Sequence, residues 1–229
     1  MNPHDIHYKG DVMQAMILAA GNGTRMRPLT YHIPKPMARV LNTPLIERTM
    51  KILHSAGVRI FHINVGPFSN QIIMHIEHQF QKTDILIHWY REDPNHLSGT
   101  LQPVITALQN MQQQPFWLIS SDLFIHPNLL TNPAHSKAHL YCIENHSAPD
   151  FQLKENKIHK SRTNAQFSGI AQFQPSFFKN VNVFNGGIGE WIRYQSTRTT
   201  ITGEYVSEKD CINVTDLDVL KQINTAINH

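Results

Sequence analysis

Apolar residues in this chain come in short runs whose period alternates between that of a buried strand and that of an amphipathic helix. Ala15 to Ala20 is continuously apolar and bounded by Gly21, as a strand covered on both faces would be. Leu45, Ile46, Met50, Ile52 and Leu53 then fall on one helical face that stops at Gly57. Val58 to Val65 predicts a second strand. Ile72, Ile73, Ile76 and Phe80 predict a helix over Ser69 to Phe80, capped by Ser69 or Asn70. The alternation continues with strands at Ile85 to Tyr90 and Phe116 to Ser120, separated by a helix from Leu101 to Met111. Further strands are predicted at Leu140 to Glu144, Phe167 to Phe173 and Thr199 to Val206, with a hairpin turning at Asn156-Lys157 before Ile158. A short helix begins at Pro175, another runs from Ile188 to Tyr194, and Leu217 to Ile227 forms a terminal one. Strands alternating with helices of crossover length predict an α/β fold of three layers around a mostly parallel central sheet.

Composition narrows the class. The 229 residues can bury a sizeable core without disulfides or metal, and 41% hydrophobic with 16% charged residues suits a globular domain. A formal charge of +3 with no dense Lys/Arg run argues against nucleic acid as a partner. Cys142 and Cys211 lack any metal or redox spacing and read as buried free thiols. No apolar run reaches a membrane span and the first residues show no signal pattern, so a cytoplasmic location is expected. Residues 1–12 are polar and read as an N-terminal extension to one domain over 13–229. Histidines number 15, yet none sits at zinc spacing; His75 and His78, three apart, read as an exposed pair.

The candidate chemistry is concentrated between Met16 and Met37. Gly21 and Gly23, one residue apart after a strand, let the backbone turn and bring N–H groups against a phosphate. Arg25 and Arg27 supply guanidinium forks for a polyphosphate, and Lys35, stiffened between Pro34 and Pro36, adds a point charge. A dinucleotide fingerprint would need glycine where Met26 stands, and a Walker A loop would need lysine after a glycine. Asp122, at the end of the strand Phe116 to Ser120, is placed either to hold Mg²⁺ over the turn or to cap the turn that follows. Lys154, Lys157 and Lys160 read as a solvated face.

The run AAGNGTRMRPLT (Ala19–Thr30) followed by PKPM (Pro34–Met37) resembles the signature of the sugar-1-phosphate nucleotidyltransferases, L-A-A-G-x-G-T-R-x-x-P-x-T and then P-K-P. Within that family the chain looks most like the N-acetylmuramate-1-phosphate uridylyltransferase and mannose-1-phosphate guanylyltransferase branches. The resemblance implies a Rossmann-like nucleotidyltransferase fold and transfer of a nucleotidyl group from a nucleoside triphosphate to a sugar 1-phosphate. It implies that Ala20, Gly21, Gly23 and Thr24 cradle the triphosphate, that Arg25 neutralises the leaving pyrophosphate and that Lys35 steadies the α-phosphate. Gly99 and Thr100, in Ser98-Gly99-Thr100, would contact base and ribose, while Asp150, Ser168 and Gly169 would flank the sugar. Mg²⁺ would be held by Asp122 and by Asn213, which stands where the family's second carboxylate is expected. Gln102 and Ser121 replace family glycines. These three departures motivate an alternative, a degenerate relative that binds nucleotide or sugar nucleotide without turnover. A monomer and a homodimer are both compatible with the sequence.

Overall fold

The computed structural model describes residues 12–66, 68–93, 99–130, 136–181, 184 and 186–227. Ser98 and the extension reading of residues 1–11 lie outside the described residues. The chain opens with β1 (Met13–Ala19), runs through three short 3₁₀ turns, and makes a small hairpin of β2 (Arg39–Val40) and β3 (Thr43–Pro44). Then follow α1 (Leu45–Ser55), β4 (Val58–Val65), α2 (Ser69–Phe80), β5 (Leu86–Arg91), α3 (Gln102–Leu108), β6 (Phe116–Ser120) and β7 (Leu123–Ile125). The second half holds β8 (Ala138–Glu144), β9 (Gln152–Lys154), β10 (Lys157–His159), β11 (Ala165–Phe173), α4 (Ile188–Gln195), β12 (Thr202–Tyr205), β13 (Cys211–Asn213) and α5 (Leu217–Ile227).

Among the described residues, nine strands form one sheet in the order β5-β4-β1-β6-β11-β8-β12-β10-β9. β5, β4, β1 and β6 are parallel neighbours, and only β11 and β10 run against the common direction. The expected α/β architecture with a mostly parallel sheet is what the chain adopts. Alternate residues of β1 feed opposite layers: Ala15, Ile17 and Ala19 pack with Ile46, Met50, Leu53, Ile72 and Ile76 of α1 and α2, whereas Met16 joins Val104 and Ala107 of α3 and Trp191 and Ile192 of α4. The connection through α3 returns from β5 across the sheet to β6. The strand order thus reverses at β1, with β4 and β5 to one side and β6 to the other, and a crevice opens beyond the carboxyl ends of β1 and β6.

A third apolar cluster lies under the loops after β1, where Met26, Ala38, Val40 and Leu45 pack with Val214 and Ile223. Asn224 of α5 fastens it, accepting from Leu41 N at 2.9 Å and donating to Arg39 O at 3.2 Å.

Four local expectations are corrected. The Ser69 and Asn70 side chains do not cap α2; Phe68, at φ 63°, precedes it, and both oxygens instead accept from Arg91. The second hairpin turns one residue earlier than expected, at Glu155-Asn156, because these two adopt the left-handed backbone a two-residue hairpin requires. α3 ends at Leu108 rather than Met111, and β12 is shorter than Thr199 to Val206, because Thr199 N closes a turn onto Gln195 O.

Candidate active site

The glycine turn is built by close approach on two sides. As β1 ends, Ala19 N donates to the buried Asn64 side chain at 3.0 Å, and a methyl group on Gly66 would lie 2.5 Å from Ala20 O. Gly23 sits at φ 60°, and a methyl group there would fall 2.8 Å from Lys35 Cβ and 3.0 Å from Thr30 Cγ2. Its carbonyl accepts from the Thr30 hydroxyl and from Met26 N, both at 2.9 Å. Gly21 is different: beyond its chain neighbours, no atom of the described residues stands within 4 Å of where its Cβ would be, and it lines the crevice. Thr24 and Arg25 follow in an exposed 3₁₀ turn, and the Arg27 guanidinium lies 5.0 Å over the Tyr31 ring rather than in the crevice.

Lys35 enters from the second half of the signature. Its side chain is only 10% exposed, and Nζ donates to Asp122 Oδ2 at 2.6 Å. Asp122 is carried there by β6, whose continuation is held when Ser121 N donates to Leu18 O and Val214 N to Asp122 O. The pairing of β13 with β7 sets Asn213 opposite Leu123, the residue after Asp122, so the two candidate metal ligands are neighbours across paired strands. Asp216 is engaged otherwise: it accepts from Val219 N, Asp218 N and the Thr215 hydroxyl and caps α5. The Val219 amide first, then the Thr215 hydroxyl, with Arg25 adding its charge, hold its carboxyl below the usual carboxylate range.

These residues wall a cleft of about 260 Å³ lined by Leu18, Ala20, Gly21, Lys35, Pro36, Asn64, Glu92, Gly99, Thr100, Ser120, Ser121 and Asp122. Turn, lysine, carboxylate and the Gly99-Thr100 loop thus converge from four separate stretches. Gly99 adopts φ 72°, and Thr100 Oγ1 accepts from Ile188 N at 3.1 Å, which ties this loop to the start of α4.

A family model described as "Nucleotidyl transferase" matches residues 14–144, the stretch that supplies every residue of that lining. The chain belongs to the nucleotidyl transferase family. It is 30% identical over 184 residues to the N-acetylmuramate alpha-1-phosphate uridylyltransferase of Neisseria meningitidis, covering 74% of this chain and 78% of that one. It is 34% identical over 113 residues to the mannose-1-phosphate guanylyltransferase catalytic subunit beta of Danio rerio, and there it spans 48% of this chain but only 31% of the relative. Among solved structures, a UDP-glucose pyrophosphorylase complexed with UDP-glucose superimposes with a TM-score of 0.76 at 17% identity, covering 95% of this chain and 99% of that one. The fold expected from the signature is therefore shared along nearly the whole length.

Not every residue singled out in the sequence reaches the cleft. Gly23, Thr24 and Arg25 are not among the lining residues, and Arg25 stands exposed near Asp216 at the start of α5. Asp150 braces β11, its Oδ2 accepting from Phe167 N at 3.0 Å. Ser168 and Gly169 form a bulge in β11; the buried Ser168 hydroxyl donates to Tyr141 O at 2.7 Å, and Gly169, at φ 92°, packs against Ser120. Sequence reasoning missed the cleft's other wall. There Asn64 Nδ2 donates to Glu92 Oε1 at 2.5 Å, so one buried amide joins the glycine turn to the loop after β5. Only Asn64, one of three polar residues in the predicted strand Val58 to Val65, hinted at it.

The donor set at Asp122 and Asn213 is oxygen only, which suits a hard divalent cation. Among the described residues no three His, Cys, Asp or Glu side chains gather as a metal cage. Burial raises both thiols, Cys142 and Cys211, to about 12, and His75 is half-buried, with Nε2 bound to Glu47 at 2.7 Å, so it is no exposed pair with His78. Among the described residues no helix is long and apolar enough to cross a membrane.

Proposed function

We propose that this protein transfers a nucleotidyl group from a nucleoside triphosphate to a sugar 1-phosphate, with uridylyl transfer to N-acetylmuramate 1-phosphate as the favoured pair. The observation that carries the reading is the convergence of Gly21, Lys35, Asp122 and Gly99-Thr100 on one cleft at the β1/β6 switch. The Neisseria meningitidis relative, matched over most of both chains, supports the choice of base and sugar. A phosphate oxygen of the sugar phosphate attacks the α-phosphorus in line, a P–O bond forms, and the bond to the β-phosphate oxygen breaks to release pyrophosphate. Such a reaction requires positioning and charge neutralisation rather than a protein nucleophile. Ala20, Gly21, Gly23 and Thr24 hold the triphosphate through backbone N–H groups and the hydroxyl. Arg25, exposed near the start of α5, would reach the departing pyrophosphate; Lys35 bears on the α-phosphate; Gly99 and Thr100 meet the nucleoside. Asp150, Ser168 and Gly169 shape the sugar side by bracing β11. Asp122 and Asn213 would hold Mg²⁺, which when bound supplies positive charge against the triphosphate oxygens. Residues 13–229 act as one cytoplasmic domain in this reading.

The test is pyrophosphate release from a panel of nucleoside triphosphates and sugar 1-phosphates with Mg²⁺. Turnover is expected, and Arg25→Ala should lower it by at least ~10³; unchanged activity in that variant would sink the assignment of Arg25. One observation favours a second reading, a nucleotide binder without turnover: Asn213 brings no charge to Asp122. An Asn213→Asp variant decides between them, since activity seen only in that variant supports the binder.

A further inference from the structure

Lys35 and Asp122 are fixed by unrelated parts of the chain. Lys35 lies between two prolines in a turn closed by Met37 N to Pro34 O at 2.8 Å and Ala38 N to Lys35 O at 3.0 Å. Its stem runs beneath Gly23, whose missing Cβ would lie 2.8 Å from Lys35 Cβ and 3.5 Å from Cδ. Asp122 is held through its own carbonyl by Val214 N at 2.9 Å. The ammonium and carboxylate meet at 2.6 Å, with side chains 10% and 26% exposed. A half-buried carboxylate needs a counter-charge, and here the protein already supplies one. A divalent ion held by that oxygen would face the fixed ammonium, and the two cations would repel.

We propose that Lys35 is the resident counter-ion of Asp122 and excludes divalent metal until a polyphosphate takes the ammonium over, so that metal and nucleotide enter as a coupled pair. The nucleotide half of this statement rests on the proposed nucleotidyl transfer; the exclusion does not. By linkage, whatever the nucleotide does for metal affinity the metal does for nucleotide affinity, beyond their chelation in solution. Lys35 thereby prevents the carboxylate from loading metal before there is phosphate for it to act on.

The experiment is a Mn²⁺ titration of nucleotide-free protein followed by electron paramagnetic resonance. Because other histidines and carboxylates also bind Mn²⁺, the signal read is the difference on removing Asp122. Native protein and Asp122→Asn should give superimposable isotherms up to about 1 mM. Lys35→Met should bind Mn²⁺ at least ~10-fold more tightly than native protein, and Lys35→Met/Asp122→Asn should lose that gain. Equal affinity in native protein and Lys35→Met would overturn the proposal. Should Lys35→Met fail to fold by circular dichroism, the native and Asp122→Asn pair decides alone: superimposable curves support exclusion, and Asp122-dependent binding without nucleotide refutes it. Absence of pyrophosphate release with every substrate pair would remove the proposed function yet leave these isotherms as they are.

Discussion

Single residues in the signature differ more than their spelling suggests. Gly21 and Gly23 look equivalent in sequence, each a place where a ligand can approach backbone. The structure separates them: Gly23 is required by φ 60° and by the lysine stem beneath it, Gly21 by nothing in the protein itself. Gly23→Ala is therefore expected to destabilise the fold by about 1–3 kcal/mol, read as a drop in the urea midpoint. Gly21→Ala should leave stability within about 0.5 kcal/mol while weakening triphosphate binding, measured by calorimetry. A Gly21→Ala protein that binds nucleotide normally would remove that residue from the cradle. Lys35 and Asp122 were both legible as functional in the sequence, but their mutual ion pair was not, because no spacing rule links residues that meet only through the β1/β6 switch.

At the scale of elements, β4 and β5 share a polar seam that neither run discloses alone. Register places Asn64 beside Tyr90 and His62 beside His88, and the imidazoles stack at 4.9 Å. His62 is fully buried; Nδ1 bonds the Tyr90 hydroxyl at 2.9 Å, and Nε2 has no hydrogen-bond partner among the described residues. Burial first, and the neighbouring His88 second, push its pKa down to about 3 from 6.5. The unfolded chain thus binds the proton first: stability is complete above about pH 6.5 and declines as pH falls toward 3. Between pH 7 and pH 5 the loss from this group should be about 2 kcal/mol, checked by urea unfolding at both values, and His62→Leu should flatten the slope. Asn64→Leu leaves the Ala19 amide without its acceptor and should cost about 1–3 kcal/mol in urea unfolding while raising the KM for nucleotide. Most helices and long strands were readable from period, with β4, α2, β6 and α5 matching their expected ends, since each has one face or both against a core. The two-residue hairpin β2/β3 and the short pair β7/β13 were not, because two or three residues carry no period.

For the whole molecule, the crevice is a property of topology: β1 and β6 are neighbours in space and separated in sequence by the α1-β4-α2-β5-α3 excursion. Reading that alternation predicted the sheet, and the signature predicted which strand end would matter. What pattern could not supply was the role of α5, whose partners lie at the other end of the chain. Ending the chain at Asp216 would uncover Met26, Val40 and Leu45, and such a protein should lose triphosphate binding in calorimetry even where circular dichroism still shows the sheet. The bond from Asn224 to Leu41 spans 183 residues. During synthesis at about 5–20 residues per second the glycine turn would wait roughly 10–40 s for its supporting helix. A nascent chain therefore carries the full signature long before the apolar cluster beneath it is complete.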